Sequence, residues 1–151
     1  MSADKLGYVS AQDSDAIWRY KTVYKLYSTA IDDLEIARRG LVAGNVRECA
    51  EAVSRAISTI CGLLAAVDVE AGQEAGSFLV SLYTKMIQRL ALVPIDNNIS
   101  DIDHSLSYLK QLKSMWEIYV LNETANISMS GMYDHRGADG GEGLKVSEGL
   151  H

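Results

Sequence analysis

The residues that could do chemistry are few and poorly arranged for it. His104 stands in a periodic stretch, and a histidine on a helical bundle can accept a phosphoryl group. Such a histidine typically has a lysine three or four residues on. Here those positions hold Ser107 and Tyr108, and Lys110 comes six on. His104 therefore reads as a surface or rim histidine. Asp101-x-x-His104 resembles half of a carboxylate–histidine metal pair. A di-iron bundle needs two such pairs and further carboxylates, all facing inward, and no apolar stripe here carries a second. Glu148-x-x-His151 repeats the spacing inside a glycine-rich tail. There is no P-loop, no G-x-G-x-x-G and no Ser-His-Asp set. The sequence predicts no enzyme, no metal, no cofactor and no small-molecule substrate.

Cys49 and Cys61 are twelve residues apart on one predicted helix. That spacing puts them ~18 Å apart along the axis, too far for a disulfide. Both are expected to pack as small hydrophobes in a reduced compartment.

Function must then be argued from surfaces, and surfaces from the elements that carry them. A chain of 151 residues is one domain by length and buries ~68–70% of its unfolded surface without a staple. A single proline, Pro94, and long periodic segments point to an all-α fold. The net charge of −6 and pI near 5.0 disfavour nucleic acid or an anionic membrane as partner, since either needs a basic face. No apolar run approaches ~18 residues, so no transmembrane helix is expected. The start, MSADKLGYVSAQ, lacks the apolar core of a signal peptide. The N-x-[ST] matches at Asn98, Asn122 and Asn126 are then chance.

The clearest element is the first helix, expected from a cap at Ser14 or Asp15 to about Ala43. Tyr20, Val23/Tyr24, Tyr27, Ala30/Ile31, Leu34 and Leu41 form one stripe at a 3.6-residue period, and Gly44 stops it. Asn45-x-x-Glu48 is a variant capping box for helix 2. Its face reads Val46, Cys49/Ala50, Val53, Ala56/Ile57, Ile60, Leu64 and Val67. Asp68 to Gly72 make a turn. Helix 3 runs from about Gln73 to Leu92, ended by Pro94, with Phe78, Leu79, Leu82 and Met86 as its core stripe. Ser100-x-x-Asp103 caps helix 4, whose stripe is Ile102, Leu106, Leu109, Leu112, Trp116 and Val120. Short connections make consecutive helices antiparallel neighbours. The expected architecture is an antiparallel up-down four-helix bundle over residues 14–125. A short N-terminal segment, 1–13, precedes it. A disordered, glycine-rich tail, 126–151, follows.

Some apolar surface remains after the core is assigned. On helix 3, Val80, Tyr83, Ile87 and Ala91 form a second row. On helix 2, Ser58, Thr59, Gly62, Ala65 and Ala66 form a small, uncharged face. Helix 4 adds Tyr108, Met115 and Ile118, and Trp18 lies opposite the helix 1 stripe. Either the N-terminal segment covers these rows, or helix 3 is simply the most buried helix, or they form a groove for an amphipathic or extended segment of another protein.

Four pieces, in register over residues 20–119, resemble one family. Leu26-Tyr27-x-x-Ala30-Ile31-x-x-Leu34-x-x-Ala37-Arg38 with Gly44-Asn45 resembles the first-helix signature of FliS, the flagellin-specific export chaperone. Val67-Asp68-x-x-x-Gly72-x-Glu74 resembles its helix 2–3 turn. Leu82-Tyr83-x-x-Met86-x-x-Arg89-Leu90 resembles its third helix, and Leu109-x-x-Leu112-x-x-x-Trp116 the end of its fourth. Departures lie at Asp13 to Arg19, which lack the family's usual proline, and at Trp18, Tyr20 and Tyr24, which replace aliphatic positions. The connection from Val93 to Asn98 also differs. The resemblance implies a cytoplasmic bacterial chaperone that binds the C-terminal segment of flagellin, prevents premature polymerisation and aids delivery to an export-gate component. The alternative is a regulatory or self-associating bundle binding another flagellar assembly protein. The expected groove comprises Val80, Tyr83, Ile87, Ala91, Ser58, Gly62, Ala66, Tyr108, Met115 and Ile118. Tyr8, at about the distance from Tyr27 expected of the family's N-terminal tyrosine, and Trp18 are the expected gate or partner contacts.

Overall fold

The computed structural model describes residues 2–67 and 73–135, with side chains described for 18–67, 74–119, 121, 122 and 125. It holds α1 (Ser2–Val42), α2 (Val46–Ala65), α3 (Gln73–Asp96) and α4 (Ile99–His135), with no strand among the described residues. The chain divides into two compact units, Met1–Trp116 and Glu117–His151. The first is the bundle.

Pairs across the bundle fix its topology. Along the α1–α2 seam, Arg55 reaches Asp33 at 3.1 Å, and the Cβ positions of Gly62 and Gly40 lie against Leu26 and Cys49. Rising numbers on α1 meet falling numbers on α2, so the two are antiparallel. The α1–α4 seam runs the same way. Trp116 Nε1 donates to the Tyr20 carbonyl at 2.9 Å, Lys110 pairs with Glu35 at 2.9 Å, and Arg38 Nε donates to Asp103 at 2.7 Å. Arg89 to Asp101 ties α3 to α4. The fourth contact crosses the diagonal: the Tyr27 and Tyr83 hydroxyls hydrogen-bond at 2.6 Å in the core.

Val23, Tyr27, Ala30, Ile31 and Leu34 of the first stripe are buried as its spacing predicts, Tyr20, Tyr24 and Leu41 are half-buried, and Ala37 joins the buried row. Val23, Tyr27, Ala30, Ile31, Leu34 and Ala37 are buried against Cys49, Ala52, Val53, Ala56, Ile60 and Leu63 of α2 and against Ile102, Leu106 and Leu109 of α4. Tyr20 and Tyr24 each have a partner on α4. Tyr20 meets the Trp116 ring edge-on at 5.4 Å, and Lys113 lies over the Tyr24 ring at 5.2 Å.

Helix ends follow local chemistry. Gly44 takes φ +77° beyond the end of α1, a conformation that L side chains resist. Asn45 then caps α2. Its Oδ1 accepts from the Glu48 N–H at 3.1 Å while its Nδ2 donates to the Glu48 carboxylate at 3.2 Å. Gly40 permits the close approach of α2, since a Cβ there would meet the Cys49 nitrogen at 3.0 Å.

Several expectations are corrected. Pro94 lies within α3 rather than ending it. A proline this near the end forfeits one backbone bond, and the helix continues to Asp96. Asn97 at φ 54° closes it. Asn98, not Ser100, caps α4: its Oδ1 accepts the Ser100 N–H at 3.1 Å. The buried row of α3 is Tyr83, Met86, Leu90 and Val93, whereas Phe78 is 63% exposed. Five residues separate Phe78 from Tyr83, which is ~140° of helix rotation. The Tyr83 hydroxyl finds its buried partner only with Tyr83 facing in. Val46 and Cys61 are likewise exposed, while Cys49 is buried and its thiol pKa is raised by that burial.

Glu74–Asp96 is long and apolar enough to cross a membrane by length and composition. This corrects the expectation that no stretch reaches that measure: Lys85 and Arg89 break the apolar run without lowering its mean hydropathy below that of a span. Tyr83, Met86, Leu90 and Val93 along it are core residues of the bundle.

α1 begins at Ser2, ahead of the expected cap, and α4 runs to His135, past the expected end near Thr124. Neither added stretch contains a proline. The expected turn from Asp68 to Gly72, residues 136–151 of the expected tail, and Glu148 with His151 lie outside the described residues.

Candidate functional site

The residues of the three rows expected to form one groove differ in burial. Val80 and Ile87 are half-buried, with Ile87 packed against the core, and Ala91 is exposed. They occupy the flank of α3 turned ~140–180° from Leu82 and Arg89. Tyr83 does not belong to that row. It is 1% exposed, and burial pushes its phenol far above the ordinary tyrosine range, reinforced by the Tyr27 hydroxyl beside it. Gly62 of the small face lies at the α1 seam, its Cβ position 3.7 Å from the Leu26 methyls, while Ser58 and Ala66 are exposed. Tyr108 and Met115 are exposed on α4. Ile118, also exposed, falls in the second unit and is described apart. Trp18 is 70% exposed. Tyr8 lies in α1, and its side chain is outside the described residues.

What the structure does bring together is the α3–α4 seam. A groove of about 450 Å³ opens there. α3 supplies Leu82, Lys85, Met86 and Arg89, and α4 supplies Asp101, His104, Ser105 and Tyr108, with Asn98 and Ser100 at the closed end. The local reason is helical spacing. Leu82, Lys85/Met86 and Arg89 recur at three- and four-residue steps, as do Asp101, His104/Ser105 and Tyr108, so each set shares a face. Met86 and Ser105 are buried and form the floor, Leu82 is half-buried, and Tyr108 stands at the rim.

The groove's electrostatics centre on Asp101. It is 5% exposed, yet its nearest cation, Arg89, is 3.6 Å away, an ion pair too long to be a hydrogen bond. Asp101 stands in the first turn of α4, where the helix dipole favours a negative charge. His104 is exposed on the same face. Among the described residues no three His, Cys, Asp or Glu side chains are grouped to hold a metal ion.

The sequence named Tyr108 for the groove but assigned Leu82 and Met86 to the core and gave Lys85 and Arg89 no role. The available signal was the pair of cations four residues apart in an otherwise uncharged stretch of α3. A second apolar recess, about 290 Å³, sits at the bundle end between Leu41, Val42, Gly44, Val46, Asn97 and Ile99.

The fold and this seam define an all-α four-helix bundle whose open surface is an amphipathic groove between its last two helices. Residues 11–123 match the family model described as flagellar protein FliS, and the chain belongs to the FliS family. The flagellar secretion chaperone FliS of Campylobacter jejuni subsp. jejuni serotype O:6 is 33% identical over 72 residues. These make up 48% of this chain and 56% of that protein, so the match spans about half the length of the curated relative.

Proposed function

We propose that the chain is a non-enzymatic flagellar export chaperone that holds the C-terminal segment of flagellin in the bacterial cytoplasm and keeps it from polymerising before export. The observation that carries this reading is the amphipathic α3–α4 groove, with Leu82 and Met86 as its apolar side chains and a tyrosine at its rim, in a member of the FliS family. An amphipathic segment reads such a groove through side chains at i, i+3 and i+4. Folding onto the bundle could bury on the order of 1,000–3,000 Å² at an ordering cost of ~2–5 kcal/mol. That cost keeps the complex releasable when the cargo is handed on. Tyr108 at the rim, and Met115 exposed two turns further along α4, are the partner contacts in this reading. Val80, Ala91, Ser58, Ala66 and Trp18 lie outside the groove and are candidates for a longer path of the segment over the bundle.

Calorimetry with a peptide of the C-terminal segment from the same organism's flagellin tests the reading. Binding at 1:1 is expected. Tyr108→Ser should weaken it by ~10-fold, as loss of an aromatic anchor does, with the melting temperature of the free protein unchanged. Absence of binding by the unaltered chain overturns the proposal. A dimer that ignores the peptide would favour a self-associating bundle instead.

A further inference from the structure

On an acidic chain, α3 concentrates positive charge at one place. Between Glu74 and Asp96 its only charged residues are Lys85 and Arg89. They stand one turn apart, on the edge of the groove. Like charges at this spacing repel each other along a helix. The bundle relieves that repulsion only in part. Asp101 approaches Arg89 no closer than 3.6 Å, and the Arg89 side chain stays 69% exposed. Lys85 makes no ion pair among the described residues. A guanidinium has five donors in a fixed fork and an ammonium three. Most of these therefore face the groove mouth or solvent, beside the apolar Leu82 and Met86.

We propose that Lys85 and Arg89 form the polar half of the groove and select an acidic residue on the bound segment. One aspartate or glutamate of the partner lies between the two cations while its apolar side chains cover Leu82, Met86 and Tyr108. The inference rests on the chaperone reading and adds what that reading lacks: an acidic side chain on the cargo that fixes its register. Lys85 is the specificity-determining residue of the pair that can be changed safely, because changing Arg89 strips Asp101 of its one ion-pair partner among the described residues.

The test uses the full-length chain and the flagellin C-terminal peptide, titrated at about 50 and about 500 mM salt. The unaltered protein should bind several-fold more weakly at high salt, because exposed charge pairs are screened. Lys85→Gln should weaken binding by ~10-fold at low salt, the size of a lost charge-assisted hydrogen bond, and flatten the salt dependence. Lys85→Arg should restore both. A peptide with its aspartates and glutamates converted to amides should bind like the Lys85→Gln case, and combining the two changes should cost nothing further. The melting temperature should not move in either variant, which separates selection from a merely structural role. If Lys85→Gln binds the peptide with unaltered affinity and salt dependence, the acidic selection is wrong and the chaperone reading survives. If the unaltered protein does not bind the peptide at all, both fall together.

Discussion

At the scale of single residues, the Tyr27–Tyr83 hydrogen bond is the most exposing test of the core. Each hydroxyl is buried and each is the other's partner. Removing one leaves the other desolvated and unpaired, so Tyr83→Phe should cost about 1–3 kcal/mol in chemical denaturation. Tyr27→Phe should cost a similar amount. The double change removes donor and acceptor together and should be close to neutral, less than the sum of the singles by at least ~1 kcal/mol. If the single changes are silent, the two rings do not meet in the core. The same pair adds to the alkaline loss of stability that the buried Cys49 thiol begins. Burial raises both phenol pKa values, more than the shared hydrogen bond lowers that of Tyr27. A raised folded value means the neutral form is favoured in the native state. Its contribution is therefore complete below the unfolded value, ~10, and lost as pH climbs through the folded values. Stability followed from pH 8 to 12 should begin to fall near ~8.5, where the unfolded Cys49 thiol titrates, and more steeply above ~10, with a slope of up to ~1.4 kcal/mol per pH unit for each phenol. The double phenylalanine protein should fall less steeply over the same range.

At the scale of elements, α1 was legible because its stripe alternates cleanly with charge and its stop signal, Gly44, takes the positive φ that the stop requires. α3 was not. Its apolar residues run around most of its circumference, so periodicity alone admits two phases about 140° apart. The phase is chosen by Tyr83, whose hydroxyl needs a partner on a helix 56 residues away in sequence. No local pattern carries that information. The cap of α4 was misplaced for a related reason: Asn98 and Ser100 are both good N-caps, and only the chain path after Asn97 selects between them. These assignments can be checked together. Ile87→Asp, placed against the core, should cost ~2–4 kcal/mol or unfold the protein, as a buried unpaired charge does. Phe78→Asp, at a 63% exposed position, should stay within ~0.5 kcal/mol of the parent. The reverse ranking would restore the phase read from sequence. Asn98→Ala should cost ~1 kcal/mol and Ser100→Ala much less.

At the scale of the whole molecule, binding and folding are one equilibrium. The groove is built from side chains of α3 and α4 that come together only in the folded bundle, so a segment that occupies it binds the native state and not the unfolded chain. Ligand must then stabilise by RT ln(1 + [L]/Kd), ~2.7 kcal/mol at a hundredfold excess over Kd. In the presence of the flagellin C-terminal peptide the melting temperature should rise with the logarithm of peptide concentration. With Tyr108→Ser the rise should begin at a ~10-fold higher concentration, while the peptide-free melting curve stays where it was. The half-buried flank of α3 gives the contrasting case: Ile87→Asp lowers the peptide-free curve itself, because its side chain holds the bundle together. A peptide that binds but does not shift the melting of the parent would have to recognise the unfolded chain equally well. That result would remove the groove from the account, because nothing between α3 and α4 exists once the bundle is open.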